Sequence, residues 1–245
     1  MGLFTLTREC EEAIERWSGK VGRPSAEARG VERLRVFENA FIEDWFATAH
    51  PAVPGLWTIP SALVCGYVGV TSIGIAPTLG LFAVGALGWT LMEYVLHRWL
   101  FHRQPSSWHF DKVQMFMLHG YHHEYPNDPW RLVAPPIMAW PVTAIVAGIY
   151  VLALGWNVAL PLLGGTMMGY LAYDWTHYWE HHSKPTTTFG KWLRRLHYLH
   201  HYDDSEWNHG ISGPLWDFAF RTYRDKSKKQ AEREQQQGGE EGQAA

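Results

Sequence analysis

The sequence predicts an all-α integral membrane protein in which four transmembrane helices carry a histidine-rich cap on the cytoplasmic side. Two observations predict the helices, because positions 45–92 and 132–173 contain no Asp, Glu, Lys or Arg. A spanning helix needs about 20 mainly apolar residues, so each window has room for two. A third observation predicts the cap, because ten of the 14 His residues lie close to the ends of these windows.

The four spans are expected at about 57–76, 79–101, 132–154 and 157–180. Turn-forming residues divide both windows near the middle, at 76–78 (Ala-Pro-Thr) and at 155–157 (Gly-Trp-Asn). Pro60 interrupts the first span, and prolines at 135, 136 and 141 interrupt the third, which leaves their ends open. The alternative is a soluble protein with two buried helical hairpins, which charge-free windows of this length disfavour.

The orientation of the spans follows from Lys and Arg. Seven of these residues lie before position 36, four lie from Arg98 to Arg131, and ten lie from Lys184 onward. The two short hairpin turns carry none, so the positive-inside rule places both termini and the central loop in the cytoplasm of a multi-pass protein. The net charge of −3 argues against a nucleic-acid partner.

The chain divides into three parts on this pattern: a cytoplasmic or interfacial segment over 1–51, a membrane-embedded domain over 52–223, and a polar tail over 224–245. Residues 31–49 carry apolar side chains at helical spacing, which predicts an amphipathic helix that lies on the membrane face or packs on the domain. The tail has too few apolar residues to bury a core and is expected to be disordered.

Ten His residues form four groups at the cytoplasmic ends of the expected spans. They are His97 and His102; His119, His122 and His123; His177 and His181; and His197, His200 and His201. Spacings of three and four residues put the rings of the last three groups on one helical face each. His97 and His102 are five residues apart and diverge by roughly 140° on an ideal helix, so we expect the helix to end or bend near Phe101.

Imidazole is a common ligand for Zn, Cu, Fe and Ni, and ten rings exceed the needs of one ion and suit two. Two carboxylates lie where partners of such rings belong: Glu93 is one turn before His97, and Asp174 is three residues before His177. Each is expected to hold the outer N–H of that ring, and the alternative is that it caps a helix or pairs with Arg. His182 is the expected accessory group among the remaining His residues.

Five motifs carry a family resemblance. They are EYVLHRWLFH at 93–102, HGYHHEYPNDPWRLVAPP at 119–136, YDWTHYWEH at 173–181, HYLHH at 197–201 and GISGPLWDFAFRTY at 210–223. At these motifs the chain resembles the fatty acid hydroxylase superfamily, the integral-membrane His-box oxygenases. The pattern HGxHHxxPxDxxRLVxPP is typical of its fatty acid 2-hydroxylase branch.

The resemblance implies O₂-dependent hydroxylation of a long acyl chain at C2, in a fatty acid or an acyl lipid, with the ten His residues as ligands of two metal ions. Iron is expected for activity, although imidazole suits zinc equally well in a purified sample. Tyr173 and Asp174 match a pair beside the third His motif and are carried over as catalytic neighbours. With Arg131, they are also expected to contact the substrate's polar head.

The implied partners are the lipid substrate, the surrounding membrane lipids and an electron donor. The chain has no haem-binding motif of the kind found in cytochrome b5 domains, so this donor is expected to be a separate protein. His182 and His209 occupy positions where related sequences often have aromatic residues. This departure concerns the pocket rather than the expected ligand set.

Three alternatives stay open at this stage. The first is hydroxylation or desaturation of another lipid, such as a sterol, a carotenoid or an alkylglycerol, which the RLVAPP stretch disfavours. The second is a metal transporter, whose ligands belong near the bilayer midplane rather than at one edge. The third is a non-catalytic scaffold, which would tolerate loss of His.

Overall fold

The computed structural model describes residues 2–227 and Gln230, and this part of the chain is helical, with one isolated β-bridge between Leu6 and Phe37. The α-helices, numbered α1 to α10 in chain order, are Arg8–Arg16, Ala40–Trp45, Val53–Ile73, Ile75–Val95, His109–Met115, Tyr121–Glu124, Pro136–Leu154, Trp156–His182, Thr188–Tyr202 and Leu215–Phe220. Two π-helical segments, Leu96–Phe101 and Phe116–Gly120, continue α4 and α5. The predicted all-α class is confirmed.

Three of the described helices are long and apolar enough to cross a membrane: α3, α4 with its π-helical extension, and α7. The chain reverses between α3 and α4 at Gly74, two residues before the predicted turn. Gly74 has a φ of +87°, which a glycine adopts without steric penalty. Pro77 fits in the first turn of α4, where its missing N–H has no intrahelical partner to lose. The third span begins at Pro136 rather than at 132, because proline favours the first helical position.

Helix α8 lies among α3, α4 and α7 and has 27 residues. It is about 40 Å long at 1.5 Å per residue, which exceeds a hydrocarbon core of about 30 Å. Small residues bring it close to α4: a Cβ added to Gly165 would lie 2.1 Å from the carbonyl oxygen of Phe82. Such close approach is typical of membrane helices that pack through small residues. The C-terminal end of α8, from Asp174 to His182, is polar and carries the third predicted His group, His177 and His181.

The amphipathic helix predicted over residues 31–49 is wrong for most of its length. Only Ala40–Trp45 is helical, because the Asn39 side chain caps that helix by accepting from the N–H groups of Phe41 and Ile42. The preceding segment is extended and pairs with the N-terminal residues through the bond from Thr7 N to Val36 O. The N-terminal segment packs on the domain through a core that includes Cys10, Ile14, Trp17, Val36 and Phe116. Most of the tail predicted over 224–245 lies outside the described residues.

Candidate metal centre

A π-helical segment brings together the two rings of the first His group, His97 and His102, which are five residues apart. Residues Leu96–Phe101 form a π-helix, whose wider turn brings residues i and i+5 to the same side. The Nε2 atoms of His97 and His102 therefore lie 3.2 Å apart, and the helix ends at Phe101. The predicted end or bend near Phe101 is confirmed, with the π-helix as its form.

The ten predicted His residues assemble into two groups of five, with candidate ligand atoms within 4.8 Å of one another in each group. The first cluster is His97, His102, His119, His123 and His200; the second cluster is His122, His177, His181, His197 and His201. Neighbouring residues divide between the clusters, because successive side chains on a helix point about 100° apart. The clusters adjoin, with the stacked rings of His123 and His201 only 4.2 Å apart between centroids.

The nitrogen spacing fits a shared cation in each cluster. In the first cluster, the Nε2 atom of His119 lies 3.0 Å from that of His97 and 3.1 Å from that of His123. In the second cluster, the Nε2 atom of His122 lies 2.9 Å from those of His177 and His201. Nitrogens bound at 2.0–2.1 Å to one ion lie about 3 Å from their neighbours. A neutral imidazole has one N–H, and five converging nitrogens cannot all be paired in hydrogen bonds with one another. Their arrangement therefore suits binding of a shared metal ion better than mutual hydrogen bonding.

Burial keeps these rings in the form that binds metals. Burial, together with repulsion from neighbouring His rings, holds the pKa of His119 and His122 well below its ordinary value. Burial likewise lowers the pKa of His123 to about 3, despite a hydrogen bond that opposes the shift. The neutral imidazole is the ligating form, so no proton has to leave these rings near neutral pH for an ion to bind.

Backbone carbonyls orient three rings of the first cluster. The Nδ1 atom of His97 donates to the carbonyl of His209 at 2.6 Å, and that of His200 donates to the carbonyl of Trp207 at 2.7 Å. The Nδ1 atom of His123 donates to the carbonyl of Gly22 at 3.0 Å. These bonds fix the tautomer that leaves Nε2 free to face the cluster. Sequence reasoning missed these partners, because every residue has a carbonyl and no side-chain pattern marks them.

Comparison with known proteins agrees with this geometry. The sequence profile of the family described as fatty acid hydroxylase matches residues 82–222, which include all ten His residues of the two clusters. The chain belongs to the fatty acid hydroxylase family. The match spans both π-helical segments and α8, so the elements that bring the clusters together lie within the part of the chain that the family shares.

Individual relatives of this hydroxylase are similar over most of its length. Dihydroceramide fatty acyl 2-hydroxylase FAH2 of Arabidopsis thaliana is 39% identical over 78% of this chain and 81% of its own. Fatty acid 2-hydroxylase of Rattus norvegicus is 35% identical over 77% of this chain and 56% of its own. A solved structure of full-length scs7p, with only the hydroxylase domain visible, covers 91% of this chain and 81% of its own at a TM-score of 0.75 and 28% identity.

The roles predicted for Glu93 and Asp174 towards the rings are wrong. Glu93 instead accepts hydrogen bonds from the backbone N–H groups of Ile211 and Ser212, at 2.7 and 2.8 Å. Asp174 accepts from the N–H of Ala134 at 3.2 Å and from the hydroxyl of Tyr170 at 3.3 Å. Their spacing from His97 and His177 put them on a shared helical face, but it did not determine where each Nδ1 points. In the hydroxylase the two acids anchor neighbouring loops.

An apolar cavity of about 410 Å³ extends from the clusters along α7 and α8. His119, His122 and His177 line one end, and Val146, Leu163 and Met167 line the other. Its volume lies within the usual range for ligand pockets. Four polar residues of interest also line it, namely Glu93, Arg131, Tyr173 and Asp174. The structure therefore brings all three predicted head-group contacts to one cavity.

Arg131 is held in the cavity wall by the N-terminal segment. Its Nη2 atom lies 2.6 Å from a carboxylate oxygen of Glu43, and its Nη1 atom donates to the carbonyl of Ala47 at 2.7 Å. Burial raises the pKa of Glu43, but the pair with Arg131 and the backbone N–H donors of Phe37 and Val36 together outweigh burial, so the pKa lies below its ordinary value. The guanidinium is therefore a fixed, charge-compensated part of the wall.

His182 and His209 are the two His residues at positions where related sequences often have aromatic residues. Of these, His209 lies beside a cluster and His182 does not. The ring of His182 is exposed and packs on Tyr178 at 4.6 Å between centroids, outside both groups of five. The ring of His209 is buried, and its centroid lies 5.2 Å from that of His102 and 5.5 Å from that of His97. Its proximity follows from the chain path that brings the His209 carbonyl to His97.

Proposed function

We propose that this fatty acid hydroxylase uses O₂ to hydroxylate C2 of a long acyl chain, free or carried in a lipid, with two metal ions held by its ten clustered His residues. The observation that carries the proposal is the apolar cavity that ends at both clusters. The named relatives include a dihydroceramide fatty acyl 2-hydroxylase and a fatty acid 2-hydroxylase, which supports the substrate class and the position of the hydroxyl.

The length of the cavity suits one acyl chain. On α8 its lining runs from His177 to Leu163, which is about 21 Å at 1.5 Å per residue. Half of a 30 Å hydrocarbon core, the depth that one leaflet's acyl chains fill, is about 15 Å. A long chain therefore fits end-on, with its terminal methyl towards Leu163 and its first carbons towards the clusters.

The polar wall positions the head of the substrate. The Nε atom of Arg131 is buried and has no hydrogen-bond partner within the described residues, so it is available to donate to a carboxyl or carbonyl oxygen. Tyr173 and Asp174 line the same cavity, and the Tyr173 ring lies 6.0 Å from that of His177. Fixing the carbonyl on these residues places C2 next to the clusters, and such positioning is a large part of catalysis.

The ten imidazoles are the proposed ligands, five to each ion, with the neutral Nε2 as donor. Bound metal supplies the oxidising chemistry with O₂, and iron is the ion we expect in the active protein. The protein itself contributes neutral donors, an apolar cavity that excludes water, and the fixed contact at Arg131. Electrons come from a separate donor protein in this proposal.

The proposed membrane arrangement has four spans, with α8 as the fourth. Its length of about 40 Å lets it cross the core and still extend its polar end beyond the bilayer. The distribution of Lys and Arg supports cytoplasmic termini and cytoplasmic clusters. The proposed parts are the N-terminal segment 1–51, the hydroxylase domain 52–223 and the tail 224–245.

The decisive experiment is mass spectrometry of lipids from cells with and without the protein. We expect 2-hydroxy acyl chains in cells with the wild type, and none in cells without the protein or with membrane-inserted His122→Ala or His200→Ala. His182→Ala is the matched control, because this ring lies outside both clusters, and it should retain the product. Metal uptake without a hydroxylated lipid would favour a transporter, and a product hydroxylated elsewhere would contradict the C2 assignment.

A further inference from the structure

Glu180 is a buried acid that is neither a proposed metal ligand nor a proposed substrate contact. It follows Trp179 on α8, its side chain is 0% exposed, and it lies one residue before His181. Neither of its carboxylate oxygens has a hydrogen-bond partner within the described residues. A buried carboxylate without a donor is strongly unfavourable, so its presence calls for a partner.

The nearest ring donor faces it from α9. The Nδ1 atom of His197 lies 3.9 Å from an oxygen of Glu180, is itself buried, and also lacks a hydrogen-bond partner in the described chain. The opposite nitrogen of that ring, Nε2, lies 2.7 Å from Nε2 of His181 in the second cluster. The ring of His197 therefore points one nitrogen at the cluster and the other at Glu180.

The neighbouring guanidinium of Arg194 donates to acceptors other than the Glu180 carboxylate. Arg194 donates through Nε to the backbone carbonyl of Glu180 at 2.7 Å and through Nη2 to the hydroxyl of Tyr198 at 2.6 Å. No ion pair of 4.0 Å or less joins it to the Glu180 carboxylate among the described residues. The geometry thus leaves His197 as the group that the carboxylate can reach.

We propose that Glu180 is a positioning residue for the second cluster, whose carboxylate accepts the Nδ1–H of His197 and so directs the Nε2 lone pair of that ring at the metal ion. A charge-assisted N–H···O bond measures about 2.7–2.9 Å, so the present separation has to shorten by about 1 Å. The terminal torsion of a glutamate is broad, and its rotation supplies such a movement. This inference rests on the proposed ligand set.

The two clusters then differ in how their rings are held. Three rings of the first cluster donate to neutral backbone carbonyls. In the second cluster Glu180 adds a negative charge behind one ring, which makes that ring a stronger donor. Loss of such an outer partner typically costs roughly 10- to 100-fold in metal affinity, and here the loss is confined to one of two ions.

The test compares full-length wild type, Glu180→Gln and Glu180→Leu, purified in detergent, loaded with Zn²⁺ and dialysed against excess EDTA. Glu27→Leu is the control, because it removes an exposed carboxylate from the surface. We expect that, at an intermediate time of dialysis, wild type and control each retain two Zn²⁺ per protein and Glu180→Leu retains one. The second ion should leave Glu180→Leu roughly 10- to 100-fold faster, with Glu180→Gln between the two because its amide oxygen still accepts.

Melting of the metal-free proteins separates positioning from a structural role. Removal of an unpartnered buried acid should leave the metal-free Glu180→Leu protein at least as stable as wild type. Retention of both ions at the wild-type rate overturns the inference, as does parallel loss of both ions with a lower melting temperature. A wild type that binds no Zn²⁺ overturns the ligand set itself, which distinguishes the two failures.

Discussion

The length of the cavity should set the length of the acyl chain, and Met167 is the position to test. Met167 is buried on α8 and lines the cavity ten residues from His177, about 15 Å along the helix. Leu163 lines it about 6 Å further on. A Trp at 167 would close this last part, so Met167→Trp should shorten the usable path from about 21 Å to about 15 Å.

The assay is the chain-length distribution of 2-hydroxy acyl products in lipids of cells that express each variant. We expect Met167→Trp to shift it to shorter chains, with loss of the longest products. Met168→Trp is the matched control, because Met168 is the next residue, is 37% exposed and does not line the cavity. An unchanged distribution in a folded Met167→Trp protein, or an equal shift in Met168→Trp, would refute the placement of the chain in this cavity.

Three further predictions concern stability. Gly165→Val should destabilise the packing of α4 on α8 by at least about 1–3 kcal/mol, because a Cβ there would lie 2.1 Å from the carbonyl of Phe82. Gly148→Val, in open surroundings, should retain the wild-type melting temperature. Arg131→Met should cost up to about 3–5 kcal/mol, because it removes the closest ion-pair partner of the buried Glu43 carboxylate and leaves it the longer 3.6 Å pair with Arg33. Because the folded-state pKa of Glu43 is below 4.5, the stabilisation by this pair should be complete above that pH and decline in acid, as pH-dependent melting would show. Stripping both ions with a chelator should lower the stability by about 2.7 kcal/mol per ion, or roughly 5.4 kcal/mol for two independent sites, from that in free metal at 100 times its Kd. Unchanged melting would contradict binding to the folded state.

The sequence predicted which His residues come together, but not the groups that hydrogen-bond to their rings. The four His groups and the helix end near Phe101 follow from residue type and spacing. The structure brings the ten rings together and confirms the helix end. Glu93 and Asp174 were misassigned because helical spacing specifies a face and not the direction of an imidazole nitrogen. Glu180 was overlooked because its significance depends on α9, which only the tertiary structure brings next to it.

The N-terminal segment shows the other limit of sequence reasoning. Apolar residues at helical spacing predicted a helix over 31–49, yet the cap at Asn39 and the pairing of Val36 with Thr7 start that helix late. Tertiary contacts outweighed the local pattern, since the buried side chains of this segment pack against Trp17 and Phe116. The same packing brings Glu43 to Arg131 and so joins the segment to the wall of the cavity.

The most direct test of the metal centre is anomalous scattering from crystals of the metal-loaded protein, measured at the absorption edge of the bound metal. We predict two peaks, each about 2.0–2.1 Å from Nε2 atoms if the ion is zinc, one within the first cluster of five rings and one within the second. A single peak, or peaks away from these ten rings, would contradict the central claim.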